Sequence, residues 1–338
     1  MKHKIAMLGF GTVGQGLAEI LLSKRRYLME KYGFDFDIVG ISDIAWGTVF
    51  NPNGLNMDTL LEQVQSGQKF SQDVKDWDGL GLIKKSNATV ICELTFTNLE
   101  SGEPAISHCE AAFQSGKHVV TSNKGPAALA YRKMKKLAAE NNVQFFIEGT
   151  VMSGTPVLNL AEGPLAGCEV TKARGILNGT TNYILTQMEA GMDYDKALQK
   201  AQELGYAEAD PTGDVEGYDA RGKVTILANV VMGTPLAISD VSCQGITQIS
   251  SQDIDSARQK DSRWKLIGSV EKKNNDVIAS VAPEMIPMSH PLAGIMGPTN
   301  AITFSTDLMG DITVVGAGAG KIETGYSILT DLLRIHRS

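Results

Sequence analysis

The stretch KIAMLGFGTVGQGLAEILL, residues 4–22, joins a short apolar run, a cluster of glycines and a second apolar run. The first run, Ile5 to Leu8, has the pattern of a short buried strand. After the glycines, Val13, Leu17 and Leu21 recur at the spacing of one helix face. This order predicts a strand, a tight turn and a helix at the start of an α/β unit.

The glycine spacing in GFGTVG fits a loop that holds the pyrophosphate of a dinucleotide. Gly9 would make the tight turn, Gly11 would let the pyrophosphate approach the backbone, and Gly14 would let helix and strand pack closely. The phosphate would then lie at the positive end of the helix dipole. The alternative is a structural glycine turn, but the strand before it and the helix after it favour nucleotide binding.

A second predicted strand, FDIVGISD, ends at Asp43. In a nucleotide-binding unit of this kind, an acid at the end of the second strand binds the ribose 2′-hydroxyl. A carboxylate at this place would repel a 2′-phosphate, so Asp43 slightly favours NAD over NADP. The alternative is that Asp43 only caps the next turn.

Three more strand-like runs alternate with helical stretches and end near Thr95, Lys124 and Glu148. This alternation predicts a Rossmann-type, doubly wound parallel sheet, whose ligands bind beyond the carboxyl ends of its strands. Lys124 is expected in a turn before a helix that starts at Gly125-Pro126, where it is a candidate acid or base beside a nicotinamide. Taken alone, Lys124 could equally be a solvated surface lysine.

The segment GYAEADPTGDVEGYDARGK, residues 205–223, gathers acids in either a solvated loop or a site for a small polar substrate. From Tyr218 the pattern becomes helical, so Asp219 and Lys223, at positions i and i+4, project from the same side. The simplest alternative for this pair is a surface ion pair worth about 0.3–0.5 kcal/mol. Upstream, NGTTNY predicts a turn and a helix from Thr180, whose N-terminus would suit a carboxylate.

The composition limits the class of protein. A net charge of −7 argues against nucleic acid or an anionic membrane as a partner, and no apolar run approaches the length of about 20 residues that spans a bilayer. The start of the chain does not have the pattern of a signal peptide. The cysteines at positions 92, 109, 168 and 243 form no C-x-x-C pair, so we expect reduced, mostly buried thiols in a cytoplasmic protein.

Seven segments occur in the following order: GFGTVG, VVTSNKGP, GILNGTTNYIL, AQELGYAEADPTGDVEGYDARGKVTILAN, GITQI, KLIGSV and HPLAGIMGPTNAI. Together they resemble homoserine dehydrogenase over essentially the whole chain. The resemblance implies that L-homoserine and L-aspartate 4-semialdehyde are interconverted with NAD or NADP, in threonine, methionine and isoleucine biosynthesis. It also implies a homodimer.

The resemblance implies two domains of an α/β protein. A dinucleotide-binding domain is expected over residues 1–147, completed by residues 316–338, so that the C-terminal helix returns to it. An α+β domain for substrate binding and dimerisation is expected over residues 148–315.

The resemblance also assigns roles to individual residues. The catalytic positions are Lys223, Lys124 and Asp219. The substrate-binding positions are Glu208, Asp214, Thr180 and Lys124. Besides Gly9, Gly11, Gly14 and Asp43, the cofactor positions are Phe10, Thr12, Val13, Thr95, Lys124 and Gly320. A sodium ion is expected beside Glu148, Val151, Ser153 and Thr155, largely on backbone carbonyls.

These roles explain the acidic segment. The substrate is a zwitterion, so Glu208 would bind its ammonium group and the helix at Thr180 would bind its carboxylate. Asp214 and Asp219 would hold the surrounding polar groups in place. A free lysine is a poor base at neutral pH, so we treat the two catalytic lysines as a coupled pair in proton transfer.

Two alternative functions use the same fold. An aspartate-semialdehyde type of dehydrogenase needs a cysteine nucleophile that forms a thioester, and no cysteine here lies in a recognisable nucleophile motif. A catalytically inactive, nucleotide-sensing protein would keep the glycine loop, but it would have no reason to keep Lys124, Asp219 and Lys223 together.

Overall fold

The strand, turn and helix predicted for the start of the chain are present. β1 (His3–Leu8) is followed after the glycine turn by α1 (Thr12–Tyr32), which buries Leu17 and Leu21 on one face. α1 ends at Gly33, whose left-handed φ of 69° lets its backbone N–H bond back to the last turn. The local sequence pattern alone was therefore sufficient to predict this strand, turn and helix.

The chain forms two units, each with its own sheet. The computed structural model describes residues 2–273 and 276–338. The first unit comprises Met1–Gly154 and Gly320–Ser338, and the second comprises Thr155–Ala319. None of the helices in the described part of the chain is long and apolar enough to cross a membrane.

The first unit has a seven-stranded sheet. Its strands after β1 are β2 (Phe36–Asp43), β3 (Gly47–Phe50), β4 (Val74–Lys75), β5 (Val90–Glu93), β6 (His118–Thr121) and β7 (Phe145–Phe146). The strand order is β4-β3-β2-β1-β5-β6-β7. β2, β1, β5, β6 and β7 pair in parallel, whereas β3 and β4 pair antiparallel at one edge.

Helices connect these strands. They are α2 (Met57–Gln65), α3 (Gly79–Lys85), α4 (Ala105–Gln114), α5 (Lys124–Leu129) and α6 (Tyr131–Glu140), and a 3-10 turn covers Glu148–Thr150. The parallel strands with intervening helices confirm the predicted Rossmann-type sheet. The edge strands β3 and β4 were not predicted, because runs of four and two residues are too short to show a period.

The second unit is built around a six-stranded sheet. Its helices are α7 (Val157–Glu162), α8 (Gly179–Glu189), α9 (Tyr194–Glu203), α10 (Thr212–Val215), α11 (Tyr218–Val230) and α12 (Ser251–Gln259). Its strands are β8 (Val170–Ile176), β9 (Ser242–Cys243), β10 (Ser262–Lys273), β11 (Asp276–Pro287), β12 (Thr299–Thr306) and β13 (Gly310–Ala317). The order is β13-β12-β8-β10-β11-β9, and each neighbouring pair is antiparallel except β11 with β9. α8 and α11 pack on β10, which confirms the α+β part of the predicted fold.

The last helix, α13 (Lys321–Arg337), packs on α1 in the first unit, as the predicted fold required. Two glycines allow the helices to approach closely. Gly16 lies against the backbone of Lys321, and a Cβ added to Gly325 would come within 2.7 Å of the Leu17 backbone nitrogen. Lys321 also pairs with Glu19 at 2.6 Å.

We therefore expect Gly325→Ala to destabilise the protein. The added methyl would meet backbone atoms that cannot rotate away, and overpacking of this kind costs about 1–3 kcal/mol. Urea unfolding measures the change. Gly294→Ala is the control, since an added Cβ there meets nothing within 4 Å among the described residues. Equal stability of the two variants would contradict the close contact of α1 with α13.

Candidate active site

The glycine loop leaves space where a pyrophosphate would bind. Gly9 has a φ of 92°, and a Cβ there would come within 2.5 Å of the Leu94 carbonyl oxygen. A Cβ on Gly14 would come within 2.7 Å of the Gly9 carbonyl oxygen, so α1 packs directly on the loop. At Gly11 no described atom lies within 4 Å of an added Cβ, and no side chain caps α1 there. An uncapped helix N-terminus beside open space fits a dinucleotide phosphate.

The other residues of the loop offer different groups to a cofactor. Phe10 is fully buried, and its ring packs against Phe70 with centroids 6.0 Å apart. Any contact from Phe10 to a nucleotide would therefore come from its backbone. Thr12 is exposed at the first position of α1, and Val13 is half-buried.

Both carboxylate oxygens of Asp43 accept backbone hydrogen bonds. Oδ2 accepts from the N–H of Phe10 at 2.7 Å, and Oδ1 accepts from the N–H of Ala45 at 2.8 Å. Asp43 thus joins the end of β2 to the glycine loop and also caps its own turn. The carboxylate has lone pairs beyond these bonds, so the ribose contact stays a prediction beside the capping role.

Two loops meet at the carboxyl edge of the parallel sheet. Thr95 follows β5, and Lys124 begins α5 one residue earlier than expected, after β6. The side chain of Asn123 donates to the carbonyl oxygen of Thr95 at 3.1 Å and so joins the two loops. Lys124 is half-buried. The structure therefore brings together the segments that carry Thr95 and Lys124.

The residues expected to surround a sodium ion are buried. Glu148, Val151 and Ser153 lie in the first unit, and Thr155 begins the second. Glu148 lies in the 3-10 turn beyond β7 and not at a strand end, and its backbone N–H donates to Asp331 at 2.8 Å. The sodium ion stays a prediction from the resemblance. The remaining cofactor position, Gly320, precedes α13 with a φ of 147°.

Lys223 is a buried lysine, with only 8% of its surface exposed. Its Nζ donates to Asp219 Oδ2 at 2.6 Å and to the carbonyl oxygen of Leu177 at 2.8 Å. Asp219 lies in the first turn of α11, and Leu177 follows β8. Lys223 is therefore buried between two elements beside a half-buried Asp219, and the surface ion pair considered from the sequence does not describe the contact.

Asn178 connects two acids to the start of α8. Its Nδ2 donates to Asp214 at 2.7 Å and to Asp219 at 3.0 Å. Its Oδ1 accepts from the N–H of Thr181 at 2.9 Å and caps α8. Burial and the nearby Asp219 carboxylate raise the pKa of Asp214, while the hydrogen bond from Asn178 and the charge of Lys223 oppose this rise.

Thr180 hydrogen-bonds to Asp214, which opposes the rise in the pKa of that carboxyl, whereas Glu208 has other surroundings. Thr180 is the second residue of α8, which begins at Gly179, one residue earlier than expected. The Thr180 hydroxyl donates to the carbonyl oxygen of Tyr206 at 2.6 Å. Glu208 is exposed, and in the described contacts it takes part through its carbonyl oxygen, which accepts from Gln202 at 3.0 Å. The structure thus groups Asp214, Asp219 and Lys223 around Asn178 without Glu208.

Known proteins are similar to this chain in sequence and in fold. The family model described as homoserine dehydrogenase matches residues 156–333. An NAD(+)-dependent homoserine dehydrogenase of Pseudomonas canavaninivorans is 46% identical, with 100% of this chain and 97% of the relative covered. A homoserine dehydrogenase of Methanocaldococcus jannaschii is 40% identical, with 99% and 98% covered. A solved hyperthermophilic archaeal homoserine dehydrogenase in complex with NADPH is 29% identical with a TM-score of 0.85, and the similarity covers 100% of this chain and 98% of that one.

The chain belongs to the homoserine dehydrogenase family. This confirms the resemblance found in the sequence and makes the protein an NAD(P)-dependent oxidoreductase that acts on a CH–OH group.

Three of the four cysteines, Cys92, Cys109 and Cys243, do not suit thioester chemistry. Burial raises the pKa of the Cys92 and Cys109 thiols, and of Cys243 as well. A nucleophilic cysteine needs the opposite shift. The expectation of mostly buried thiols holds for Cys92 and Cys109, whereas Cys168 and Cys243 are half-buried.

Sequence reasoning missed three polar residues that contact the candidate site. Asn178 was seen only as part of a turn, although an asparagine before a helix is a common cap. Glu93 and Asn123, at the ends of β5 and β6, were not singled out at all. An acid at the end of an otherwise apolar strand, VICE, was the signal available for Glu93.

We expect Asp214→Asn to raise the thermal stability at neutral pH. The folded-state pKa of Asp214 lies above its ordinary value of 3.8. Protonation of Asp214 therefore stabilises the fold at low pH, and this contribution is lost as the pH rises through the folded-state pKa. The amide does not ionise, so its Tm should exceed that of the wild type by about 2–4 °C at pH 7 for each kcal/mol gained.

The difference in Tm should shrink as the pH falls towards 4. Asp210→Asn is the control of opposite sign, because hydrogen bonds from Thr212 lower the pKa of Asp210 and its ionised form is favoured. A Tm difference for Asp214→Asn that stays constant between pH 4 and pH 7 would contradict the raised pKa.

Proposed function

We propose that this protein interconverts L-homoserine and L-aspartate 4-semialdehyde, with NAD preferred over NADP. The observation that carries the chemical proposal is the buried contact of Lys223 with Asp219 and Leu177. A buried ammonium group is costly to maintain, and proton transfer to the substrate oxygen gives it a function. The NAD preference is supported by Asp43 and by the Pseudomonas relative, which is an NAD(+)-dependent homoserine dehydrogenase.

Lys223 is suited to act as a general acid on the aldehyde oxygen. When bound, the nicotinamide supplies or accepts the hydride. An ammonium group has three N–H donors, and the described contacts of Lys223 use two of them. The third can donate a proton to the oxygen that gains charge as the aldehyde is reduced. In the reverse direction the same nitrogen accepts the hydroxyl proton.

The other candidate residues would assist proton transfer or bind the substrate and the cofactor. A second cation, Lys124, would act together with Lys223 in proton transfer. The acids Asp214 and Glu208 would hold the ammonium group of the substrate, and the exposed side chain of Glu208 can reorient towards it. Thr180 would lie beside the substrate carboxylate at the start of α8. In the first unit, the glycine loop with Thr95 and Gly320 would contact the cofactor.

We also propose a cytoplasmic homodimer that binds a sodium ion through the carbonyls near Glu148. Exposed apolar side chains of the second unit support self-association. Leu308 and Met309, between β12 and β13, are 72% and 64% exposed, and Val315 on β13 is 51% exposed. Light scattering after gel filtration tests the dimer, and activity with sodium replaced by choline tests the ion.

Steady-state kinetics with purified protein test the reaction itself. Homoserine is supplied with NAD and with NADP in parallel, and the absorbance of the reduced cofactor is followed. We expect turnover with both cofactors and a higher kcat/KM with NAD. Absence of homoserine-dependent turnover would favour the inactive nucleotide-sensing alternative.

Asp43→Ala should narrow the preference for NAD. The ribose 2′-hydroxyl loses an acceptor, and the repulsion of a 2′-phosphate disappears, so the ratio of kcat/KM for NAD to that for NADP should fall. Asp37→Ala is the control, because Asp37 is a carboxylate on the same strand that pairs with Lys2 and Arg25. An unchanged ratio in Asp43→Ala would leave Asp43 with its capping role alone.

Lys223→Ala should lower kcat by about 10²-fold or more, the scale of a lost general acid or base. The affinity for NAD should hardly change, since the glycine loop belongs to the first unit. Lys124→Ala should behave similarly, and the double variant should be far less than multiplicatively worse if the lysines act as one unit.

The control for loss of an ion pair is Lys196→Ala, because Lys196 pairs with Asp193 on the surface at 3.2 Å. It should leave kcat unchanged. A near-normal kcat in Lys223→Ala would overturn the proposed proton transfer.

A further inference from the structure

A buried polar cluster lies at the carboxyl ends of β5 and β6. The register pairs Glu93, the last residue of β5, with Thr121, the last residue of β6. The Thr121 hydroxyl donates to the Glu93 carbonyl oxygen at 2.6 Å and accepts from the backbone N–H of Asn123 at 2.9 Å. The two strand ends are therefore joined by a side chain as well as by the backbone ladder.

Glu93 is a carboxylate with no solvent exposure. The hydroxyl of Thr95 donates to it, and His108 Nδ1 lies 3.2 Å from the same oxygen. A carboxylate is costly to bury unless hydrogen-bond donors surround it. Here the donors come from the loop after β5 and from α4, so Glu93 fixes the start of the loop that carries Thr95.

Asn123 extends the cluster to the next loop. It is 2% exposed. Its Nδ2 donates to the carbonyl oxygens of Thr95 at 3.1 Å and Phe96 at 2.8 Å, and its Oδ1 accepts from the N–H of Gly125 at 2.9 Å. One amide thus holds the loop after β5 with one end and caps α5 with the other. The capping role alone would need only Oδ1.

Lys124 lies in the chain between Asn123 and Gly125, whose N–H bonds to the Asn123 side chain. Its own backbone N–H donates to the Thr97 hydroxyl at 3.3 Å. The turn is also packed from outside, because a Cβ on Gly125 would come within 2.9 Å of the Gly102 Cα atom. The main chain of Lys124 is therefore held on both sides and by the opposite loop.

We propose that Glu93 and Asn123 are positioning residues that set the location of the Lys124 amine for the reaction. The inference rests on the proposed role of Lys124 in proton transfer. A reacting group must be held within a fraction of an ångström, and a displacement of about 1 Å can cost 10²-fold in rate. The cluster supplies this precision from the rigid sheet, because each loop is tied to the end of a buried strand.

Asn123→Asp tests the bridge. The carboxylate keeps the acceptor for the Gly125 N–H, but it removes the two donations and repels the carbonyls of Thr95 and Phe96. We expect kcat with homoserine at saturating NAD to fall by about tenfold or more, since misplacement is costly mainly at the reacting group. Asn56→Asp is the matched control, since Asn56 caps α2 at the Thr59 N–H in the same unit. It should leave kcat unchanged.

A double-mutant cycle with Lys124→Ala separates positioning from a general structural role. If Asn123 acts through Lys124, Asn123→Asp should lower kcat in the wild-type background and by less than about twofold in the Lys124→Ala background. An equal fold loss in both backgrounds, or no loss in the wild type, would overturn the inference. A near-normal kcat in Lys124→Ala alone would instead overturn the proposed role of the lysine.

Thr97→Val is the second variant, for the case in which Asn123→Asp does not fold. It removes the acceptor of the Lys124 N–H, keeps the side-chain shape and leaves Asn123 intact. The same cycle applies, and we expect kcat to fall about threefold or more in the wild type and to be unchanged in Lys124→Ala. Equal effects in both backgrounds would again overturn the inference.

Discussion

Two buried charged side chains, Lys223 and Glu93, each lie among polar partners, and the proposals for catalysis depend on these contacts. A charged group taken out of water must be surrounded by partners, or its burial costs more than a fold can supply. For Lys223 the partners are the Leu177 carbonyl after β8 and the Asp219 carboxylate on α11. For Glu93 they are hydroxyl and imidazole groups around the end of β5. Well-packed apolar residues would often fill such places at lower cost, and the roles proposed above for Lys223 and Glu93 would account for the two charges.

The sequence predicted best those features whose partners are close along the chain. The glycine loop is one continuous segment, and Asp219 with Lys223 is a pair on one helix. Asn178, in contrast, bonds to acids 36 and 41 residues away, and no local pattern encodes such a distance. The resemblance named the residues of the site, but it could not show that Asn178 connects them.

Asp43 and Glu208 show that the position of a residue in the sequence does not by itself establish its role. Asp43 stands where an acid that binds ribose is expected, yet its carboxylate also holds the glycine loop and caps a turn. Both functions need an acid at the end of a strand, so the sequence pattern is the same for each. Glu208 has the charge expected of a substrate ligand, but it is exposed and takes no part in the described contacts of Asn178. Side-chain surroundings, which depend on the whole fold, separate such cases.

The packing of α13 on α1 has a consequence for how the protein is made on the ribosome. Ile328, Leu329, Leu332 and Ile335 belong to the same buried cluster as Ile5 and Leu17. The first unit therefore emerges from the ribosome lacking part of its core, and the second unit, Thr155–Ala319, must be translated before that part arrives. At about 5–20 residues per second this delay is on the order of ten seconds or more. During this interval the face of α1 that packs on α13 is uncovered, although α1 is the first helix of the described chain to be synthesised.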